Sequence, residues 1–377
     1  MSFEIIILLE IAVLLVVAKI FGEIAERLRL SQLVGEIIAG IVIGALHLVA
    51  KDPFLDQLVL LGAVFLFFII GMETKFHANI SSGIMAGVSA LLSFVAGFGI
   101  GLYLFDLPSG MIIGIAVMST STLVSLHSYI NIGQIRTHAH EIVIAMNSFD
   151  EIFAVLIVAI LSSGIAFGFS LFSIITIIVA TIIIVFALSR LSSVTSRVLH
   201  LFSDAKDAHL ITAVALVIMF LAAYLAEQAG IALIGAFFAG LALSRSDNTE
   251  GRVLPNAKTI GFGFFVPLFF AYSALSFSIT TAVLSVGAIL LLLLFASFTK
   301  IIGVAIPAKF LSEARYDSIL AGMGMVPRGE YAVIIVHLAL AAALITAQIY
   351  TVVVAFALLS MIITPILLKF YTRRIYK

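Results

Sequence analysis

Long, nearly unbroken runs of bulky apolar residues alternate along the chain with short polar connections, and the length of these runs predicts what they are. At about 1.5 Å of rise per residue, about 20 apolar residues in a helix cross a hydrocarbon layer of about 30 Å. Runs at or near this length fall at 3–21, 32–49, 55–72, 83–105, 110–129, 139–162, 169–189, 209–227, 230–244, 260–277, 280–304, 317–340 and 346–368, giving thirteen predicted transmembrane helices. The second and ninth are short and rich in glycine. The first is too long for the apolar region of a signal peptide and lacks a small-residue cleavage pattern, so it reads as a retained helix.

Composition sharpens this picture. Of 377 residues, 63% are hydrophobic and 11% charged. That is too little charge to cover a water-soluble domain of this length, and the fold class expected is an all-α polytopic membrane protein. The formal net charge is zero, so nothing in the total points to nucleic acid, and no such partner is expected. The absence of cysteine excludes disulfides, thiol catalysis and thiolate metal sites. Neither an enzyme nor a bound cofactor is expected.

The connections carry the charge, and lysine and arginine favour the cytoplasmic side. With the N-terminus outside, the inner loops hold Arg27, Arg29, Lys75, Arg136, Arg190, Arg197, Lys206, Arg245, Arg252, Lys258, Lys309 and Arg315, and the inner tail adds Lys369, Arg373, Arg374 and Lys377. The outer loops hold Lys51. A miscounted helix in the middle would scramble this partition, so it supports an odd count with the N-terminus outside and the C-terminus cytoplasmic in the cell membrane.

The stretch "GEIIAGIVIGA" (35–45) resembles "GAFFAGLALSR" (235–245): Gly35, Ala39 and Gly40 correspond to Gly235, Ala239 and Gly240. Packed membrane helices favour small residues in any case, but these are the second and ninth segments. A unit of six helices over 1–163 would recur over 209–377, with 164–208 as a linker helix. A shift of seven helices is odd, so the second copy is expected to be inverted in the membrane. Corresponding interruptions support this. The fifth segment contains "VMSTSTLVS" (117–125), and the twelfth, its counterpart, contains "AGMGMVPRGEY" (321–331). Pro327 removes a backbone donor, and Gly322 and Gly324 weaken the turn before it. Thr120, Ser121 and Thr122 either bond to their own preceding turn or line a crossing of two broken helices, since broken backbone at membrane depth survives only where protein or water satisfies it.

Ionisable side chains within the apolar runs need compensation. Glu10 reads as an interfacial or dimer-contact residue, and Glu36 as one that caps or lines the short second helix. His47, His77, His127, His138 and His140 lie near loops, where solvation is expected, and none has metal-ligand spacing. Arg328 and Glu330 are expected to form a structural or gating ion pair at the break. Asp150 and Glu151 in the sixth segment project about 100° apart, so one can face a cation while the other faces a cavity. Lys300 in the eleventh segment is the obvious counter-charge. Desolvation penalises the ionised forms and pairing favours them, which poises such a group to exchange a proton for a metal cation; a purely structural salt bridge is the competing reading.

At these residues the chain resembles the monovalent cation:proton antiporter-2 family, the Kef-type sodium or potassium exchangers. The resemblance runs through "QLVGEIIAGIVIGAL", "LGAVFLFFIIGMET", "SFDEIFAVLIVAIL", "LIGAFFAGLALS", "FTKIIGVAIPAKF" and "AGMGMVPRGEYAVIIVHLAL" in this order. It implies a homodimer in which a core carrying the crossed helices moves like an elevator against a scaffold. Where members show Asp-Asp or Gln-Asp, this chain has Asp150-Glu151. Aligned without a gap, Asp150 is implied to pair with Lys300 and Glu151 to bind the ion; a one-residue slip would make Asp150 the ligand. Asn147, one turn earlier, is a polar neighbour. Many Kef-type proteins carry a nucleotide-binding domain; no Gly-rich strand-helix unit occurs here, and a separate cytoplasmic regulatory subunit is left open.

The expected function is therefore exchange of Na⁺ or K⁺ for H⁺, with a role in pH homeostasis. A carboxylate of Asp150/Glu151 is the shared site. Oxygens near Thr120, Ser121, Thr122 and the Gly322–Pro327 break complete the coordination, as hard cations require. A sodium-coupled organic-anion symporter on a related scaffold is the runner-up. An intramembrane aspartyl protease is a weaker reading, since Asp150 has no evident aspartate partner in another segment, and a passive cation channel is a further weaker one, separable by whether flux depends on a proton gradient.

Overall fold

The computed structural model describes residues 2–74, 80–134, 137–168, 175, 179, 209–244, 249–311 and 315–375. The seventh predicted segment and most of the predicted linker lie outside the described residues, as do Lys75, His77, Arg136, Arg190, Arg197, Lys206 and Arg245. Among the described residues all regular structure is helical: α1 (Ser2–Arg27), α2 (Gln32–Ala45), α3 (Pro53–Glu73), α4 (Ile80–Leu104), α5 (Leu107–Met118), α6 (Thr122–Asn131), α7 (His138–Phe167), α8 (Leu210–Glu227), α9 (Ala232–Leu243), α10 (Leu254–Ile260), α11 (Val266–Ala274), α12 (Ile279–Leu284), α13 (Val286–Phe310), α14 (Arg315–Gly324), α15 (Glu330–Ala341) and α16 (Ala347–Ile375). Among the described residues eight spans are long and apolar enough to cross a membrane, and α2, α9 and α15 are shorter apolar helices.

Departures from the predicted limits have local causes. Helix α1 continues past its apolar run to Arg27, where Arg27 pairs with Glu23 one turn earlier at 2.8 Å; the apolar pattern ends where the hydrocarbon does, not where the helix does. The tenth segment is helical from Thr249, with wide π turns at Thr249–Val253 and Gly261–Phe265 on either side of α10. The eleventh is divided, because Ser278 caps the short α12 through Thr281 N–H (3.2 Å) and Ser285 ends it before α13 begins. Asp106 caps α5 by accepting from Ser109 N–H at 2.8 Å, and the Ser109 hydrogen bonds hold its carboxyl below the usual range.

The chain forms two compact units. One comprises residues 1–50, 76–154 and 270–377. In it α4 packs on α5 and α13, α1 on α2, and α14 on α13. Small residues set the spacing: a Cβ at Gly303 of α13 would lie 2.5 Å from Ser89 Cα of α4. The other comprises residues 51–75 and 155–269, where α9 packs on α3 and α8. There a Cβ at Gly240 would meet Phe68 O at 2.1 Å, and one at Gly71 would meet Phe237 O at 2.0 Å. The glycines matched at an offset of 200 have parallel duties within their own units. Gly35 holds α2 against Phe21 of α1, and Gly235 holds α9 against Ala222 of α8, with backbone oxygens 2.1 and 2.3 Å from an added Cβ.

Gly240→Val should therefore lower the thermal unfolding midpoint in detergent, since overpacking a tight contact costs about 1–3 kcal/mol. Gly87→Ala, where an added Cβ meets nothing within 4 Å, should leave the midpoint unchanged or slightly raised.

Candidate functional site

Two chain breaks meet in the first unit. The fifth segment stops as α5 at Met118 and restarts as α6 at Thr122, with Ser119 and Ser121 in extended conformations. Ser121 caps the new start by accepting from Val124 N–H at 3.3 Å. The twelfth segment stops as α14 at Gly324 and restarts as α15 at Glu330, because Pro327 cannot donate to a helical ladder and Gly329 supplies the turn. Ser121 N–H bonds to Pro327 O at 2.9 Å, Ser125 Oγ to Gly324 O at 2.7 Å and Thr120 Oγ1 to Met325 O at 3.4 Å. Close approach explains the glycines: a Cβ at Gly329 would lie 2.6 Å from Ser121 Oγ and one at Gly324 2.5 Å from the Tyr129 ring. Gly322 serves a neighbouring contact, against Ile301 of α13.

Four helix ends at this meeting leave backbone groups without ladder partners. Arg328 addresses the carbonyl ends: Nε donates to Val117 O at 2.5 Å, and Nη1 to Met325 O at 2.8 Å and Val326 O at 2.6 Å. Glu330 addresses the amide ends. Its Oε2 accepts from Ser121 Oγ at 2.5 Å, and the backbone amides of Thr122, Leu123 and Glu330 itself lie near the carboxylate, whose Oε1 has no hydrogen-bond partner among the described residues. Positive charge at C-termini and negative charge at N-termini is the arrangement helix dipoles favour. The ion pair expected between Arg328 and Glu330 does not form among the described residues, because each is committed to backbone at opposite kinds of helix end. Ser360 of α16, which the sequence reading passed over, accepts from Arg328 N–H at 2.8 Å; a lone serine in an apolar run gives no signal of such a duty.

Helix α7 brings Asp150 to this crossing. Its Oδ2 accepts from Lys300 Nζ at 2.8 Å and from Thr120 Oγ1 at 2.6 Å, and Lys300 is fully buried. Glu151 is also buried, and the hydroxyl of Tyr331 lies within electrostatic reach of Glu151, Glu330 and Asp150. Tyr331 was likewise missed, since a tyrosine beside a glycine-proline break looks like packing. Asn147 lies one turn before both acids. Neither of its amide atoms, nor Asp150 Oδ1, nor Thr122 Oγ1, finds a hydrogen-bond partner among the described residues, though all are buried. Groups of this kind leave a site with oxygen-acceptor capacity that the protein does not consume.

The remaining candidates fall elsewhere. Glu36 pairs with Lys19 at 3.4 Å, and Glu10 accepts from Ala50 N–H at 3.1 Å. His47 is exposed and His138 pairs with Glu141 at 3.4 Å. His140, expected to be solvated, is instead buried against the Tyr129 ring, with centroids 5.2 Å apart; its position in the first turn of α7 places it under α6 rather than in water.

Charge arithmetic states what the site can do. Asp150, Glu151 and Glu330 are buried with Lys300 and Arg328, so three acids face two bases and full ionisation leaves one negative charge in excess. An unbalanced charge in a medium of low dielectric is costly. One proton or one monovalent cation removes it; a divalent ion would overshoot.

The family described as "Sodium/hydrogen exchanger, transmembrane" matches residues 12–374. The chain is 28% identical over 370 residues to the Na(+)/H(+)-K(+) antiporter GerN of Bacillus cereus, covering 96% of this chain and 95% of that protein. It is 26% identical over 380 residues to a Na(+)/H(+) antiporter of Enterococcus hirae, covering 97% and 98%. The structure of the sodium proton antiporter MjNhaP1 from Methanocaldococcus jannaschii at pH 8 superposes with a TM-score of 0.71 at 16% identity over 99% of both chains, a likeness of fold.

The Asp150–Lys300 pair predicts a non-additive stability cycle. Removing one partner of a buried ion pair typically costs about 3–5 kcal/mol, whereas removing both costs much less. Thermal unfolding should show Asp150→Asn/Lys300→Gln nearer to the wild type than Lys300→Gln alone.

Proposed function

The chain belongs to the sodium/hydrogen exchanger family, and on that premise we propose that it is a secondary active antiporter exchanging Na⁺ or K⁺ for H⁺, with Glu151 as the group that holds either ion. The observation that carries this reading is the commitment of Asp150: one of its oxygens is already shared by Lys300 and Thr120, which leaves the next residue of α7, the buried carboxylate of Glu151, as the second acid at the crossing. Asp150 then acts as the fixed partner of Lys300. Asp150 Oδ1, Asn147 Oδ1 and Thr122 Oγ1 supply the further oxygens that a partly dehydrated alkali cation requires. Ser121 and Thr120 act as positioning residues, and Arg328, Glu330 and Pro327 with its flanking glycines hold the broken backbone.

Coupling follows from competition. A carboxylate that retains a proton has no charge with which to hold Na⁺ or K⁺, and one that holds the metal must release its proton. Alternating exposure of that one group to the two sides links the fluxes, and an elevator-like displacement within a homodimer is the motion this reading adopts. The parallel glycine contacts of α2 and α9, and the breaks in the fifth and twelfth segments, support an inverted pair of six-helix units at 1–163 and 209–377. The finer placement in the antiporter-2, Kef-type branch rests on the motifs quoted above, and the N-out, C-in orientation in the cell membrane on the distribution of lysine and arginine. A separate cytoplasmic regulatory subunit is compatible with this reading and is not required by it. Organic-anion symport is set aside, because a site with surplus negative charge and oxygen acceptors suits a cation.

In proteoliposomes containing a pH-sensitive dye, Na⁺ or K⁺ pulses should release protons through the wild type. Glu151→Gln should lose this coupled release, and Asp150→Asn/Glu151→Gln should fall to background; wild-type exchange by the double variant would refute the assignment. With Lys300 charged throughout the cycle, one proton leaves for each cation that enters. A potassium-diffusion potential imposed with valinomycin should then leave the rate of Na⁺-driven release unchanged.

A further inference from the structure

Helices α13 and α16 end alike. Each carries an internal proline, Pro307 or Pro365, and each finishes with a Lys-Phe pair, Lys309-Phe310 or Lys369-Phe370. The residues just before these pairs, Ala308 and Leu368, are fully buried in one apolar cluster, and Leu311 and Tyr371 just after them pack against the same cluster. The two Lys-Phe pairs therefore flank one shared core at one end of the bundle. The same side chains point away from it: Phe310 and Phe370 are 80% and 67% exposed, Ile306 and Ile366 one turn earlier are 52% and 60% exposed, and Lys309, Lys369 and Arg373 are exposed.

Charge distinguishes this rim from a plain lipid-facing surface. Lys19, Arg27 and Lys258 each have an acidic partner. Lys309, Lys369 and Arg373 form no salt bridge among the described residues, and Asp317 in the first turn of α14 is not paired with any of them. Three cations without a salt bridge among the described residues, two exposed aromatic rings beside the lysines and two exposed isoleucines one turn earlier lie on the outward sides of these helix ends.

We propose that this rim is a binding site for an anionic phospholipid, its headgroup held by Lys309, Lys369 and Arg373 and its acyl chains lying along Phe310, Phe370, Ile306 and Ile366. Aromatic side chains settle at the level of the headgroups, and long basic side chains keep their heads at the interface while their stems lie on apolar surface. A zwitterionic lipid satisfies the rings but leaves the three cations without a counter-charge. The site lies on the same helices as the crossing: Lys300 precedes Lys309 by nine residues in α13, and Ser360 precedes Lys369 by nine in α16, about 14 Å of helix in each case. The proposal needs only that the chain is embedded in a bilayer and does not depend on the transport reading.

The chain has no tryptophan, which makes a clean test available. Phe310→Trp and Phe370→Trp each create a single fluorophore at an exposed position. Each is reconstituted in vesicles of a zwitterionic lipid mixed with an anionic one, and bromine is carried on the chains of either the anionic or the zwitterionic component. Each basic residue near an anionic surface favours association about fivefold, so brominated anionic lipid should quench both reporters severalfold more than its mole fraction predicts. Lys309→Gln/Lys369→Gln/Arg373→Gln in the same backgrounds should abolish that preference, whereas Arg29→Gln/Arg252→Gln, which removes two other basic residues, should preserve it. Thermal midpoints matching the parent establish that the variants are folded. Quenching in proportion to mole fraction, equal loss of preference in the control pair, or a reporter shielded from both lipids by a second copy of the chain would each overturn the proposal.

Discussion

Backbone cannot end in hydrocarbon without a partner, and two helices here end and restart inside the protein. The exposed carbonyls of α5 and α14 and the exposed amides of α6 and α15 impose a demand that water meets elsewhere in proteins but that buried groups must meet here. Arg328 and Glu330, two positions apart on one strand of irregular chain, meet it from opposite sides. Gly324 and Gly329 let the two breaks approach within hydrogen-bonding distance, and Ser121 bonds to the other break through both its backbone and its hydroxyl. The crossing is a polar network in an apolar surround, satisfied at the helix ends but with Arg328 Nη2 and Glu330 Oε1 buried and without hydrogen-bond partners among the described residues.

That commitment decides what remains for chemistry. With Arg328 and Glu330 bound to helix ends, Asp150, Glu151 and Lys300 are left, and Lys300 and Thr120 already engage one oxygen of Asp150. Several buried atoms without hydrogen-bond partners among the described residues belong to the crossing: Asp150 Oδ1, the amide of Asn147 a turn below, the hydroxyl of Thr122 at the first position of α6, Arg328 Nη2 and Glu330 Oε1. Buried polar atoms without partners are destabilising by about 1–3 kcal/mol each, so their concentration at one place is more informative than any one of them. Under the proposed mechanism the transported ion and its residual water supply what the protein withholds.

Much of this was legible in the sequence. A hydroxyl cluster in one apolar run, and glycines with a proline in another, identify broken helices from residue chemistry alone, and a carboxylate pair with a distant lysine identifies buried charge from its cost. What escaped was pairing. Arg328 and Glu330 look like mates because opposite charges attract, but spacing along a chain does not report helix dipoles, and a guanidinium surrounded by bare carbonyls has better partners than a carboxylate already held by amides. Ser360, Tyr331 and the buried His140 escaped for a related reason: each owes its environment to another element, and a single serine, tyrosine or histidine carries no record of its neighbour. The division of the eleventh segment at Ser285 shows the converse, since local capping overrode an apolar run long enough to continue.

Under the proposed mechanism, position along α7 gives the pair of acids unequal roles. Asp150 has the shorter side chain and is fixed by two donors at 2.8 and 2.6 Å, so moving it would break an ion pair and a hydrogen bond together. Glu151 has one more methylene and one more rotatable bond, and it follows Asp150 by about 100° around the helix. A group that exchanges ions has to change its coordination in each cycle, and the longer side chain offers the wider range of positions for doing so. Under the proposed mechanism the inequality also separates stability from transport: Lys300 would hold Asp150 whichever ion Glu151 carried, and the pair would keep the crossing intact while its neighbour alternated between proton and metal.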